Sequence, residues 1–270
     1  PELPIEFINT GELDIKTTYV LPVTIKSVEG IGVLQSAKTY YYVFRGASLI
    51  NVVCNISRNR AYPDFKNDSK FNNLTENTME ILFKANSFPN TLNTLMGIES
   101  NYLLRIGDAT IPNNQLQVAT SVNNCTSADL QLESGKWYHV AVAFNKGNVK
   151  VYINGVEKLS GSTGKSSVSL GAKHTNEEDG SRCFWVGYSY KDDRYFDGVV
   201  SEVRIWNRAL TAEEIQATNH FYTIEPESEG LIAYWKFDEG SGTVAKDYSV
   251  SGYDLTIEKE PKWESVSLPQ

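Results

Sequence analysis

The chain has 270 residues, of which 41% are hydrophobic and 21% charged, and its formal net charge is −8. Such a chain can bury a core, and its acidic surface repels phosphate backbones, which argues against a nucleic-acid partner. No apolar run approaches the roughly 20 residues of a membrane span, and no secretory leader is read at Pro1.

Residues 1–48 stand apart. The stretches "PIEFINTGELDIKTTYVLPVTIKSVEG" and "AKTYYYVFRGA" offer roughly three strands, with Gly11 and Gly30 at turns. So few strands cannot close a sandwich alone. They are read as a small N-terminal β segment, and residues 49–270 as one larger domain.

From there the turn chemistry is dense and helix signals are few. Strands are expected at 78–85, 102–106 and 115–120. In "KWYHVAVAFNKGNVKVYINGVEKLS", Trp137 to Phe144 and Val149 to Ile153 read as strands about a Lys146-Gly147 turn. Asn154-Gly155 then supplies a two-residue hairpin turn, whose central residues need positive φ. "GSTGKSS" at 161–167 lacks the first glycine of a phosphate loop, because Leu159 stands there, and no helix follows. It is expected to be a flexible inter-strand loop.

A strand at 183–190 precedes "VVSEVRIW". There Val199, Val203 and Ile205 point one way and Glu202, Arg204 and Trp206 the other, the period of a half-buried strand. Thr211 and Glu214 then form a capping box, and Leu210 and Ile215 a hydrophobic staple, for a helix of about two turns. A strand at 231–237 follows, and Trp263 is too large to leave exposed cheaply, so residues 230–270 are expected to complete the fold. Many short strands with polar turns describe an all-β, antiparallel jelly-roll sandwich with one short helix.

Side chains able to do chemistry are sparse. His139, His174 and His220 show no metal-ligand spacing, and mid-strand His139 reads as a core or edge residue. Cys54, Cys125 and Cys183 lack CxxC spacing and permit at most one bridge. They are read as buried thiols, with a Cys125–Cys183 disulfide open to an oxidising compartment. The acidic runs Glu177-Glu178-Asp179, Asp192-Asp193, Glu213-Glu214 and Asp238-Glu239 read as solvated turns or a first helical turn.

The recognition candidate is "YSYKDDRYF", which gathers Tyr188, Tyr190, Asp193, Arg194 and Tyr195 between two strands. Sugar rings stack an apolar face on an aromatic ring, while carboxylate and guanidinium groups take the hydroxyls. Trp206 is a second candidate for an exposed aromatic.

Two stretches carry a resemblance. "GKWYHVAVAFNKGNVKVYINGVEK" and then "FWVGYSYKDDRYFDGVVSEVRIWNRALTAEEI" resemble the middle and end of a laminin-G-like, concanavalin A-like jelly roll. "LIAYWKFDEGSGTVAKDYSVSGYDLT" resembles the opening strand of that family, although it stands near the C-terminus. The likeness runs from about residue 75 to 270 and implies a concanavalin A-like sandwich with glycan as its partner.

Retaining hydrolases of this fold carry Glu-x-Asp-x-x-Glu, which is absent here. Hydrolysis needs two carboxylates facing one bond, so the resemblance implies no enzyme. A structural calcium, which such domains often hold, has Asp197, Asp238 and Asp247 as candidates. Ser201 replaces an aspartate that many relatives carry, and no cofactor is expected.

"YVLPVTIKSVEG" followed by "TYYYVFRGA" resembles the end of an uncharacterised immunoglobulin-like domain of surface lipoproteins in glycan-foraging gut bacteria. That pairing implies an outer-surface protein of a polysaccharide-utilisation system, with other glycan-uptake proteins as partners and the signal and lipid anchor upstream. The implied function is non-catalytic carbohydrate binding. The alternatives are a structural or protein-interaction module and an unrecognised glycoside hydrolase.

Overall fold

A computed structural model describes residues 17–30, 38–45, 48–175 and 182–269, together with Leu13, Gly32 and Ser36. The Gly11 turn and the Glu177-Glu178-Asp179 run lie outside the described residues. The chain divides into two units, Pro1–Asn51 with Ser267–Gln270, and Val52–Val266. In the first, β1 (Thr18–Thr24) and β2 (Thr39–Arg45) pair antiparallel, with Thr24 opposite Thr39. Val20, Tyr40, Tyr41 and Val43 of this pair are exposed.

The sandwich follows in chain order. Its first strands are β3 (Ile50–Asn55), β4 (Ala61–Pro63), β5 (Glu76–Ala85), β6 (Asn93–Ile98), β7 (Tyr102–Asp108), β8 (Ile111–Thr120) and β9 (Asn124–Cys125). The middle is β10 (Trp137–Asn145), β11 (Asn148–Ile153), β12 (Val156–Ser162), β13 (Trp185–Val186) and β14 (Gly198–Trp206). After α1 (Ala212–Ile215) come β15 (Leu231–Trp235), β16 (Val244–Ala245), β17 (Leu255–Ile257) and β18 (Lys262–Leu268). The back sheet has the order β12-β11-β10-β5-β14-β3-β18, with β15 beside β14, and the front sheet β16-β17-β4-β13-β6-β7-β8-β9.

The period-two pattern explains the core. Met79, Ile81 and Phe83 of β5 and Val140, Val142 and Phe144 of β10 meet Tyr102, Leu104 and Ile106 of β7 between the sheets. The two hairpins flanking β11 turn as expected. Lys146 and Gly147 sit at φ 46° and 94°, and Asn154 and Gly155 at φ 49° and 76°.

Several expectations need correction. Strand β14 is not half-buried, because every residue of it is buried. Its inner face is also out of step with the sequence pattern: a bulge at Glu202 (φ 49°) shifts the register between Ser201 and Arg204. Val200, rather than Val199, therefore joins Val203 and Ile205 in the core. The outer face of the back sheet is covered by residues 207–224, where Leu210, Ile215, Phe221 and Ile224 pack on Ala141, Tyr152, Trp206 and Tyr234. Trp206 is thus 2% exposed and offers no surface.

The strand expected at 183–190 shrinks to Trp185–Val186, since Gly187 turns the chain at φ 79°, a region that favours glycine. The 161–167 loop is pinned rather than loose. The Thr163 amide and hydroxyl both donate to Gly147 O, at 2.8 and 2.9 Å, and Lys165 Nζ reaches Asn101 Oδ1 at 3.0 Å. No Cys125–Cys183 bridge exists either. All three cysteines are buried free thiols, and burial pushes each thiol pKa up.

The C-terminal stretch completes the sandwich. β15 pairs with the second half of β14 from Val203↔Trp235 to Trp206↔Leu231, where β3 has already left that edge. α1 is a single turn, shorter than expected, and carries the full capping box. The Thr211 amide donates to Glu214 Oε2 at 2.8 Å and the Glu214 amide to Thr211 Oγ1 at 3.3 Å. Among the described residues no helix is long and apolar enough to cross a membrane.

Candidate functional site

Alternation along β4 sends Arg60 and Tyr62 to the outer face of the front sheet, beside Trp185 of β13 and Tyr188 just beyond it. These side chains, with His174, make an aromatic ledge. Tyr62 stacks on His174 at 3.4 Å and meets Trp185 edge-on at 5.2 Å, and Trp185 meets Tyr188 at 5.1 Å. The Arg60 guanidinium lies 4.5 Å over Tyr188 and 5.0 Å over Trp185, and Glu258 holds it from the other side at 2.5 Å.

The five predicted residues divide over this ledge. Tyr188 is 4% exposed and forms part of its floor. Tyr195 is half-buried, 4.9 Å from the Tyr188 ring, and Asn90 Nδ2 donates to its backbone oxygen at 2.9 Å. Burial, with Asp192 and Glu258 nearby, pushes the Tyr195 hydroxyl up to about 12, against the pull of Arg60. Tyr190, Asp193 and Arg194 form a second group at the rim. Arg194 lies 5.2 Å over the half-exposed Tyr190 ring and donates to its hydroxyl at 3.3 Å, with Asp193 Oδ1 3.4 Å from Arg194 Nε. Lys191 and Arg182 add positive charge at 5.4 and 5.8 Å from the same ring.

Below the rim opens a cleft of about 750 Å³, lined by Ser57, Arg58, Asn90, Asp192, Tyr195 and Asp197. Asp197 is its organiser. Oδ1 accepts from Ser57 Oγ at 2.7 Å and Asn86 Nδ2 at 3.3 Å, and Oδ2 from Ser87 Oγ at 2.5 Å. Burial opposes its ionisation, but these donors and the Arg58 charge hold the carboxyl below its usual value. Arg60, Tyr62, His174 and Trp185 were missed by sequence reasoning. The alternation of Arg60 and Tyr62 in "RNRAYP" was the available signal; the other two come from distant segments.

The acids near this face are placed in different ways. Asp193 is solvated, Asp197 is consumed by its donors, and Arg105 lies 2.5 Å from Asp108 and 3.9 Å from Glu99. Two of the three calcium candidates, Asp197 and Asp247, are already held by protein donors. Asp247 accepts the Tyr234 and Ser249 amides on Oδ1 and the Tyr253 amide on Oδ2, at 2.8–3.0 Å, and Ser201 Oγ donates to Lys236 O at 2.9 Å. Glu239 is no solvated acid. Burial pushes its carboxyl up, and Oε2 is buried without a partner.

The histidines behave differently from their spacing. His139 and His220 converge on Glu80, under residues 207–224, with Nε2 atoms 3.3 and 2.6 Å from Glu80 Oε1. Trp206 Nε1 donates to Glu80 Oε2 at 2.7 Å. Arg204 donates to His220 O at 2.7 Å and to Glu202, whose Oε2 also accepts from Tyr234 at 2.6 Å. Burial would raise the Glu80 carboxyl, yet the facing imidazoles hold it well below the usual range, while burial lowers His139.

Comparison with known proteins concerns the fold. The family model described as the concanavalin A-like lectin/glucanases superfamily matches residues 59–216. A comparison with curated proteins finds no match. Among solved structures, the chain is similar to a protein of Bacteroides ovatus provisionally described as carbohydrate-binding. The two are 27% identical with a TM-score of 0.68, over 94% of this chain and 70% of the other. It is also similar to domain 4 of an extracellular arabinanase of Geobacillus stearothermophilus, solved with arabinotriose, at 19% identity and TM-score 0.46 over 80% and 91% of the two chains. A sialidase of Trypanosoma rangeli matches at 15% identity and TM-score 0.40, over 63% of this chain and 27% of the other.

Proposed function

The chain belongs to the concanavalin A-like lectin/glucanase superfamily, and from that premise we propose that it is a non-catalytic carbohydrate-binding module. The observation that carries the reading is the Tyr190 ring, half-exposed at the rim and flanked by Arg194, Lys191 and Arg182. Tyr190 supplies a stacking face, while Arg194, Asp193 and the Tyr195 hydroxyl take sugar hydroxyls. Tyr188 supports them from below. The likeness to a protein provisionally described as carbohydrate-binding supports the same reading. The proposal extends to setting: a bacterial outer-surface protein of a polysaccharide-utilisation system, in which β1 and β2 are the end of an immunoglobulin-like domain.

A shallow site of this kind binds with Kd on the order of 1 mM to 10 μM. Calorimetry against plant, host and microbial glycans tests it. Tyr190→Ala or Arg194→Ala should lose about 1–3 kcal/mol of binding with the melting temperature nearly unchanged. Tyr188→Ala should instead lower the melting temperature, because that ring is buried. Silence across the panel would favour a structural or protein-interaction module. Release of reducing sugar would establish a hydrolase.

A further inference from the structure

On the back sheet, away from the aromatic ledge, Glu80, His139 and His220 bring their ligand atoms within 4.8 Å of one another. We propose that this cluster is a divalent transition-metal site, binding Zn²⁺ through Glu80 Oε1, His139 Nε2 and His220 Nε2. Two observations carry the assignment. His139 is fully buried, and neither ring nitrogen makes a hydrogen bond, although Nε2 lies 3.3 Å from Glu80 Oε1. A buried nitrogen without a partner calls for one.

The second observation is charge. The buried carboxylates Glu80 and Glu202 face one buried guanidinium, Arg204, 3.7 Å from Glu80 and hydrogen-bonded to Glu202. The other nearby cation, Lys236, stands half-exposed over Tyr234 at 5.6 Å. A buried excess of negative charge needs a proton or a cation. The 2.6 Å hydrogen bond between His220 and Glu80 leaves His139 without a partner. A metal ion uses both imidazoles.

The three ligand atoms lie near enough for one ion to reach, the two imidazole nitrogens being no more than 4.8 Å apart. Tetrahedral bonds of about 2.0–2.1 Å set ligand atoms about 3.3 Å apart. The Glu80–His139 edge already has that length, and the 2.6 Å Glu80–His220 edge has to open. Trp206 Nε1 holds Glu80 Oε2, which leaves Oε1 for a single bond to the metal. Phe221 stacks on the His139 ring at 4.5 Å and fixes its plane. Two imidazoles with one carboxylate suit Zn²⁺ rather than calcium or magnesium, which take oxygen. The ligands come from β5, β10 and the covering segment, so the ion would clip that segment to the sheet and enter as the chain folds.

The test uses the full chain without a histidine tag, unfolded with chelator and refolded with Zn²⁺, Co²⁺ or chelator alone. Mass spectrometry should find about one zinc per chain after desalting. The Co²⁺ protein should show visible absorption bands that the chelated chain lacks, and the metal forms should melt above the chelated form. His220→Gln should abolish uptake. If that variant does not fold, the wild-type metal content and Co²⁺ spectrum decide. Wild type refolded with under about 0.1 zinc per chain, melting identically with Zn²⁺ and chelator, would overturn the proposal and leave a proton as the balancing charge. Full uptake by a folded His220→Gln chain would overturn it too.

Discussion

Removing residues 223–270 should unfold the sandwich. The cut deletes Ile232, Trp235, Phe237, Leu255 and Ile257, each no more than 5% exposed and each part of the main core. At about 1.5–3 kcal/mol per side chain, their burial contributes roughly 7–15 kcal/mol, the size of a whole domain's stability at about 5–15 kcal/mol. The cut also strips β15 from Val203–Trp206, which turns half of β14 into an exposed apolar edge. Trp235→Ala is the graded version. Its ring is fully buried near Phe65 and Phe184, and Nε1 donates to Tyr253 O at 2.8 Å. The substitution should cost about 3–5 kcal/mol. Size-exclusion chromatography and circular-dichroism melting read the truncation, and urea titration reads the point variant. A truncated chain that stays monomeric and melts cooperatively would refute the reasoning. So would a Trp235→Ala chain within about 1 kcal/mol of wild type.

The remaining predictions concern single groups. Asp197 has its folded-state pKa lowered, so its contribution is present above the unfolded value of about 3.9 and is lost as pH falls through the folded value. Asp197→Asn should therefore melt below wild type at pH 7, with the gap closing as pH drops below about 4; a constant gap in a pH series of melts would count against the network. Thr211→Ala breaks the capping box and should cost about 0.5–2 kcal/mol, read by urea unfolding. An unchanged midpoint would mean that α1 is held by packing on Leu210 and Ile215 alone.

What local chemistry decides was legible in the sequence. The Lys146-Gly147 and Asn154-Gly155 turns, the alternation of β10 and β11 and the Thr211/Glu214 cap each depend on a few adjacent residues, so spacing alone located them. The loop carrying Tyr190, Asp193, Arg194 and Tyr195 was visible for the same reason, because its composition is contiguous. Three things depended on the tertiary structure. The bulge at Glu202 puts Val200 rather than Val199 in the main core cluster, and no residue type announces a one-residue register change. The burial of Arg204 and Trp206 depends on residues 207–224 folding back over a strand whose pattern by itself describes an exposed face. Glu80, His139 and His220 lie up to 140 positions apart, and the aromatic ledge joins Arg60 and Tyr62 to Trp185 and Tyr188. Antiparallel pairing across a sandwich brings such distant residues together, and sequence spacing carries no record of that distance.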